Sequence, residues 1–171
     1  MHQTRILTEW APIGAAHFLE LVADGFYEES ALFRSVKGYL GQFGITDKSH
    51  LRHWHARTIP DDAHLGLEIK KYQLSYAAGG ENHRSTQVFI AYDNIHLGSS
   101  PWETPFAEVV RGRDVVDSFN TEYGEISSFA GNGPDQARVY MEGNSYLEED
   151  FPNLDYILSC QIDGYEAPVE L

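Results

Sequence analysis

The residues whose types and spacing can do chemistry lie in one run, Phe33-Arg34-Ser35-Val36-Lys37-Gly38-Tyr39-Leu40-Gly41-Gln42-Phe43-Gly44. It sets a lone arginine among apolar neighbours and places Gln42 eight residues beyond it. Along an extended strand an even separation puts two side chains on one face. Arg34 and Gln42 can therefore act together, although Gly38, Gly41 and Gly44 interrupt strict alternation. On residue types alone, an arginine that merely pairs with a surface acid is the better explanation of the run. A second cluster, His50, His53, His55 and His64 around Trp54, has the His-x-x-His-x-His spacing that can ligate zinc. No acid or cysteine stands at a convincing ligand spacing beside it, so we expect no metal site. Asp61, Asp62 and Glu68 lack the Asp-x-Asp-x-Asp-Gly order of a calcium loop. Cys160, the single cysteine, sits in the apolar run Tyr156-Ile157-Leu158-Ser159-Cys160 and reads as a small core residue rather than a nucleophile.

The elements that must position these residues are short. A chain of 171 residues suits one domain spanning 1–171 with a sizeable core. Ile6 and Leu7 end a short strand. Ala11-Pro12 opens a helix, with proline where its missing N–H costs nothing. Ala15, Phe18, Leu19 and Val22 follow as one apolar face, and Asp24-Gly25 closes it. Strand patterns recur at Leu32–Leu40, Tyr72–Tyr76, Gln87–Tyr92, Phe106–Val110 and Tyr156–Ile162, and a second short helix begins at Asp114. Residues 46–71 and 93–105 read as loop, and 127–150 as a long polar insertion on the barrel edge. Fifteen glycines and seven prolines supply the turns. The sum is a mainly β chain, a barrel or sandwich with flanking helices.

Twenty-six acids against twelve bases give a formal charge of −14, the reverse of what phosphate binding needs. Neither nucleic acid nor membrane insertion is expected, since no stretch approaches the ~20 apolar residues that span a bilayer. The opening Met1-His2-Gln3-Thr4-Arg5 lacks the apolar core of a signal peptide. Compartment is not legible.

Several blocks, in order along nearly the whole chain, resemble the cyclophilin-type peptidyl-prolyl cis-trans isomerases. The Arg34 run is similar to the family's Phe-x-Arg-x-x-x-Gly-Phe followed by Gln-x-Gly, with an ending, Gln42-Phe43-Gly44-Ile45, like the bacterial-type branch. The run from Ser75 to Ile90, through Ala77, Ala78, Gly79, Asn82, Gln87 and Phe89, resembles Ser-x-Ala-x-x-Gly-Pro-Asn-Thr-x-x-x-Gln-x-Phe-Ile. Asp93–Leu97, Pro105–Val110 and Gly112–Asp117 match the loop, strand and helix that follow.

The resemblance implies a closed eight-stranded antiparallel barrel with two capping helices and a groove on its outer face. It implies that Arg34 is the catalytic arginine and that Gln42 bonds the substrate backbone or orients Arg34. Tyr39, Leu40, Phe89 and Leu97 would line an apolar proline pocket, with His96 beside it and Phe106 under its floor. Ala77, Ala78 and Gln87 would border the adjoining peptide groove. Proline-containing peptides or proteins are the partners implied, with no cofactor.

Departures temper the match. Lys37 stands where proline is usual, Tyr39 adds a hydroxyl to the pocket, and Val88 is smaller than usual. His96 replaces the tryptophan linked to cyclosporin binding, and Trp102 stands near where a pocket histidine is usual. Only Thr4–Thr8 precede the first helix where the family has a full hairpin, so the first strand is truncated or missing, and a neighbouring chain or upstream segment would complete the edge. Two functional classes follow: an X–Pro isomerase, or a catalytically weak binding module or structural subunit of a larger assembly.

Overall fold

A computed structural model describes residues 2–163. Within it the chain forms eight strands and four α-helices. In chain order these are β1 (Gln3–Ile6), α1 (Pro12–Ala23), β2 (Ser30–Ala31), β3 (Arg34–Val36), β4 (Leu40–Phe43), β5 (Gln73–Tyr76), β6 (Val88–Ala91), β7 (Ala107–Arg111), α2 (Arg113–Asp117), α3 (Gln136–Glu142), α4 (Asn144–Asp150) and β8 (Tyr156–Ile157). Six strands make one antiparallel sheet in the order β1-β7-β5-β6-β4-β3, while β2 and β8 form a separate two-stranded ribbon. The mainly β character agrees with the expectation, although six strands rather than eight share the sheet. The expected closure does not: among the described residues β1 and β3 stand at opposite ends of one sheet.

The first strand is present, but short. β1 pairs with β7 from Gln3 to Ile6, with a register shift between Gln3 and Thr4. Arg5 faces Glu108 across that pair and makes an ion pair with it.

Alternation along the strands gives the sheet two apolar faces. One carries Phe43, Leu74, Tyr76, Val88, Ile90, Ala107 and Val109 into the main core beneath α1. The other carries Leu40, Phe89 and Ala91, which pack with Ile69 and Ile95 as a smaller cluster. Strands apolar on both sides read as continuous hydrophobic runs, which is why the Val88–Ala91 run shows no polar alternation.

Helix α1 buries Gly14, Ala15, His17, Phe18, Leu21 and Val22. Leu21, rather than the expected Leu19, completes the stripe, because the buried face turns about one residue from the predicted seam. Gly14 is needed on that face: a Cβ there would lie 2.8 Å from the Arg84 guanidinium and 3.1 Å from the Tyr76 ring. Asp62 binds the helix start, its carboxylate accepting the N–H groups of Ile13 and Gly14 at 2.8 and 2.9 Å and a hydrogen bond from buried Arg84 at 2.8 Å. This uses donors that a helix N-terminus otherwise leaves orphaned.

Two stretches read as loop are more regular. Ser49–Ala56 is a 3-10 helix that buries Leu51 and Trp54. The polar insertion holds α3 and α4, whose Val139, Tyr146 and Leu147 join Ala31, Phe33, Ile45, Ile126 and Leu154 in a core of their own. Asp135 caps α3 by accepting from the N–H groups of Ala137 and Arg138. Two capping helices thus become four, α2 being only five residues long. The last strand is shorter than Tyr156–Ile162, ending at Ile157. Cys160 packs half-buried against the main core, and burial raises its thiol to about 11. No helix among the described residues is long and apolar enough to cross a membrane.

Candidate functional site

The β3–β4 register makes Arg34 and Gln42 direct cross-strand partners, and Gln42 in turn faces Phe89 on β6. Phe89 faces Ser75 on β5. A single rank of side chains therefore crosses the outer face of the sheet. Gly38, at φ +69°, supplies the left-handed residue of the tight β3–β4 turn. At the far end of β4, Gly44 (φ +107°) allows close approach to β6: a Cβ there would meet the Thr86 carbonyl oxygen at 2.3 Å.

The apolar half of the site is the cluster around Leu40 and Phe89. Tyr39, Ala77 and Leu97 pack against it, half-exposed, over a buried base of Ile69, Ala91 and Ile95. Four expected pocket residues, Tyr39, Leu40, Phe89 and Leu97, thus come together. Phe106 does not join them. It lies fully buried in the main core, its ring 5.0 Å from Phe18 and 4.9 Å from Tyr76. His96 is exposed on the loop that carries Leu97, and Trp102 stands in the 3-10 turn Pro101–Glu103, outside the pocket cluster.

The polar half is a chain of hydrogen bonds. Arg34 Nη1 donates to Gln42 Oε1 at 2.9 Å, Gln42 Nε2 to Gln87 Oε1 at 2.7 Å, and Gln87 Nε2 to Tyr140 Oη at 2.6 Å. Its direction is forced. A guanidinium only donates, so Gln42 must turn its oxygen to Arg34 and its nitrogen to Gln87, which sets Gln87 the same way. Tyr140 is the terminal acceptor. Burial raises its pKa, an effect partly offset by the hydrogen bond from Gln87, so the hydroxyl stays protonated at neutral pH. Its ring stands edge-on to His55, with centroids 4.9 Å apart. Gln87 also ties the end of β5 to the start of β6, its carbonyl accepting the Ala77 N–H at 3.0 Å; half-exposed Ala78 follows.

Glu125 holds the other edge of the arginine. Arg34 Nη2 donates to Glu125 Oε2 at 2.8 Å, and Nε lies 2.7 Å from Oε1. The Phe129 ring centroid lies 5.1 Å from the guanidinium carbon, and that of Tyr39 5.8 Å. The arginine is thus paired with an acid, as its bare residue type allowed. It also stands beside Tyr39 of the apolar cluster, aligned by Gln42.

Glu125, Phe129 and Tyr140 were not foreseen. Glu125 stands 91 positions from Arg34, with no periodicity joining them. Ala91 was within reach, because it shares a strand face with Phe89.

The histidine cluster disperses. His53 bonds the carbonyl of His50, His55 bonds Thr86 Oγ1, and His64 bonds the carbonyl of Gly98. Asp61 and Asp62 turn to Arg84, and Glu68 to Lys70. Burial is the largest influence on His55 and lowers its pKa; nearby Arg52 lowers it further, against a backbone hydrogen bond at Thr46.

Residues 3–141 match a family described as cyclophilin type peptidyl-prolyl cis-trans isomerase/CLD. The chain is 31% identical over 117 residues to peptidyl-prolyl cis-trans isomerase CYP18-1 of Arabidopsis thaliana, covering 66% of this chain and 71% of that protein. It is 31% identical over 115 residues to peptidyl-prolyl cis-trans isomerase B of Escherichia coli K12, covering 63% and 70%. Among solved structures, a cyclophilin type isomerase of Cryptosporidium parvum, crystallised in the presence of the dipeptide Ala-Pro, superposes with a TM-score of 0.61 at 17% identity, covering 79% of this chain and 85% of that one. That likeness shows the fold.

Proposed function

The chain belongs to the cyclophilin-type peptidyl-prolyl cis-trans isomerase family, and from that premise we propose that it accelerates rotation about X–Pro bonds with Arg34 acting over the Leu40–Phe89 pocket. The observation that carries this reading is the juxtaposition itself: a guanidinium aligned by Gln42, next to an apolar cluster on the same sheet face.

Amide resonance sets a barrier of ~18–20 kcal/mol to peptide rotation. Unaided X–Pro isomerisation takes tens to hundreds of seconds. No bond is made or broken, so neither a nucleophile nor a proton relay is needed. As the amide twists, resonance is lost and the prolyl nitrogen gains a lone pair that can accept a hydrogen bond. A donor fixed at that nitrogen binds the twisted state better than either planar one, which is the condition for raising the rate. Arginine suits the task because it remains charged and presents several N–H groups in a rigid plane.

Tyr39, Leu40, Phe89 and Leu97 would grip the proline ring and keep water from the amide. Desolvation favours the twisted state, whose charge separation is smaller than that of the planar amide. Ala77, Ala78 and Gln87 would border the flanking peptide. The partners in this reading are proline-containing peptides or unfolded chains.

The test is a protease-coupled isomerisation assay on a short X–Pro peptide, with wild type and Arg34→Ala side by side. Acceleration by the wild type that collapses in the variant supports the reading. A folded wild type with no acceleration replaces it with a binding module that keeps the fold without turnover.

A further inference from the structure

We propose that Glu125 is a positioning residue for the isomerisation, holding the guanidinium of Arg34 at a fixed place and angle beside the proline pocket; this rests on the reading of Arg34 given above.

The geometry is two-pointed. Glu125 accepts a hydrogen bond from Nη2 of Arg34 at 2.8 Å, and its other oxygen lies 2.7 Å from Nε as an ion-pair contact, while Gln42 accepts from Nη1 at 2.9 Å. A guanidinium has five N–H groups. The two hydrogen bonds use one N–H on Nη1 and one on Nη2, while buried Nε makes only an ion-pair contact, so the arginine is held without exhausting its donors. Gln42 alone would leave it free to swing about that single bond. Adding the carboxylate fixes the plane.

The carboxylate is itself fixed. Glu125 Oε1 accepts the N–H of Ile126 at 2.9 Å, and its carbonyl accepts the N–H of Gly133 at 2.8 Å. Gly131 packs so closely that a Cβ there would stand 2.0 Å from the Glu125 carbonyl oxygen. One residue earlier, the Gly124 carbonyl accepts the N–H of Ser35, tying this loop to the strand that carries Arg34.

An exposed ion pair would carry little weight, because water and salt screen it. Here the side chains of Arg34 and Glu125 are only 13% and 27% exposed. Phe129 and Tyr39 flank the guanidinium and shelter it further. The same loop thus supplies both the carboxylate and an aromatic ring to one arginine.

A positioning role predicts a particular kinetic split. Gripping the proline ring belongs to the apolar pocket, which Glu125 does not join. Aiming the donor affects only the twisted state. Glu125→Gln keeps the size of the side chain but replaces one acceptor with a donor that Arg34 cannot use. We expect kcat to fall about tenfold, the scale of a small misplacement of a catalytic group, with KM changed less than about twofold. Unchanged kcat in a variant that melts like the wild type overturns the proposal. So does a rise in kcat, which would make the carboxylate a competitor for the arginine.

A second measurement needs no variant. In 15N-resolved NMR of the wild type, the Arg34 Nη1 and Nη2 groups, each held by a hydrogen bond, should give separate resonances protected from solvent exchange. Exchange as fast as that of exposed arginines overturns the proposal even if Glu125→Gln does not fold. The two readings separate cleanly. If Arg34→Ala loses activity while Glu125→Gln keeps it, the positioning role falls and the role of Arg34 stands. If wild type shows no turnover, the role of Arg34 in isomerisation falls and the proposal with it.

Discussion

Substituting Tyr140 by phenylalanine removes one oxygen from the end of the hydrogen-bond chain and leaves the ring in place. The ring still stacks edge-on against His55, so packing is kept. Gln87 loses its acceptor, which lies 2.6 Å from Nε2 in the wild type. The amide cannot turn over to compensate, because that would set its nitrogen against the Gln42 nitrogen, whose own orientation is dictated by Arg34. With Gln87 only 9% exposed, the donor is left without a partner, at a cost of about 1–3 kcal/mol. In a domain of this size each kcal/mol lowers the melting temperature by roughly 2–4 °C. The expected drop is therefore about 2–12 °C, with an unchanged urea m-value, since the surface exposed on unfolding is the same. Thermal melts and urea titrations of the two proteins measure it. A melting temperature within one degree of wild type would refute the reasoning. It would show that water reaches Gln87 or that the amide chain is not held in one direction.

Two further predictions concern the frame. Asp62→Ala strips the acceptor from the N–H groups of Ile13 and Gly14 and leaves fully buried Arg84 with Asp61 as its remaining carboxylate partner. Removing one member of such a buried pair costs about 3–5 kcal/mol, to be read from urea unfolding. Stability should also decline as pH falls below about 6.5, the ordinary histidine value. Burial lowers the pKa of both His17 and His55 in the folded chain. The unfolded chain therefore takes up protons first, and the stabilisation present above 6.5 is lost as pH falls through the lower folded values. Melting curves between pH 8 and pH 5 should show this, and replacing both histidines by asparagine should flatten the slope in that window.

Much of the site was legible because its residues are local in sequence or obey strand alternation. Arg34 and Gln42 do share a face, but as cross-strand partners of a hairpin about one tight turn rather than through even spacing along one strand. Phe89 and Leu40 lie on adjacent strands rich in apolar residues and were reached through the family pattern. Phe106 was misjudged because a buried phenylalanine beside a sheet fits either face, and only the packing against Phe18 and Tyr76 decides. Helices α3 and α4 were hidden by composition. Their exposed faces carry Glu142, Glu148, Glu149 and Asp150, while burial rests on only Val139, Tyr146 and Leu147, too few for a clear stripe. Barrel closure was expected from the family likeness, yet among the described residues no pairing joins β1 to β3, and pairing between distant strand edges leaves no local signal in the sequence. The same holds for Glu125, which meets Arg34 only through tertiary structure.

The most direct test of the account is the division of labour between Arg34 and the pocket. Exchange NMR on an X–Pro peptide at several concentrations yields kcat and KM separately for wild type, Arg34→Ala and Phe89→Ala. The account predicts that Arg34→Ala lowers kcat by about a hundredfold, the scale of losing one fixed transition-state donor, with peptide affinity nearly unchanged. It predicts that Phe89→Ala mainly weakens binding. An Arg34→Ala protein that is folded and turns over peptide at the wild-type rate would contradict it.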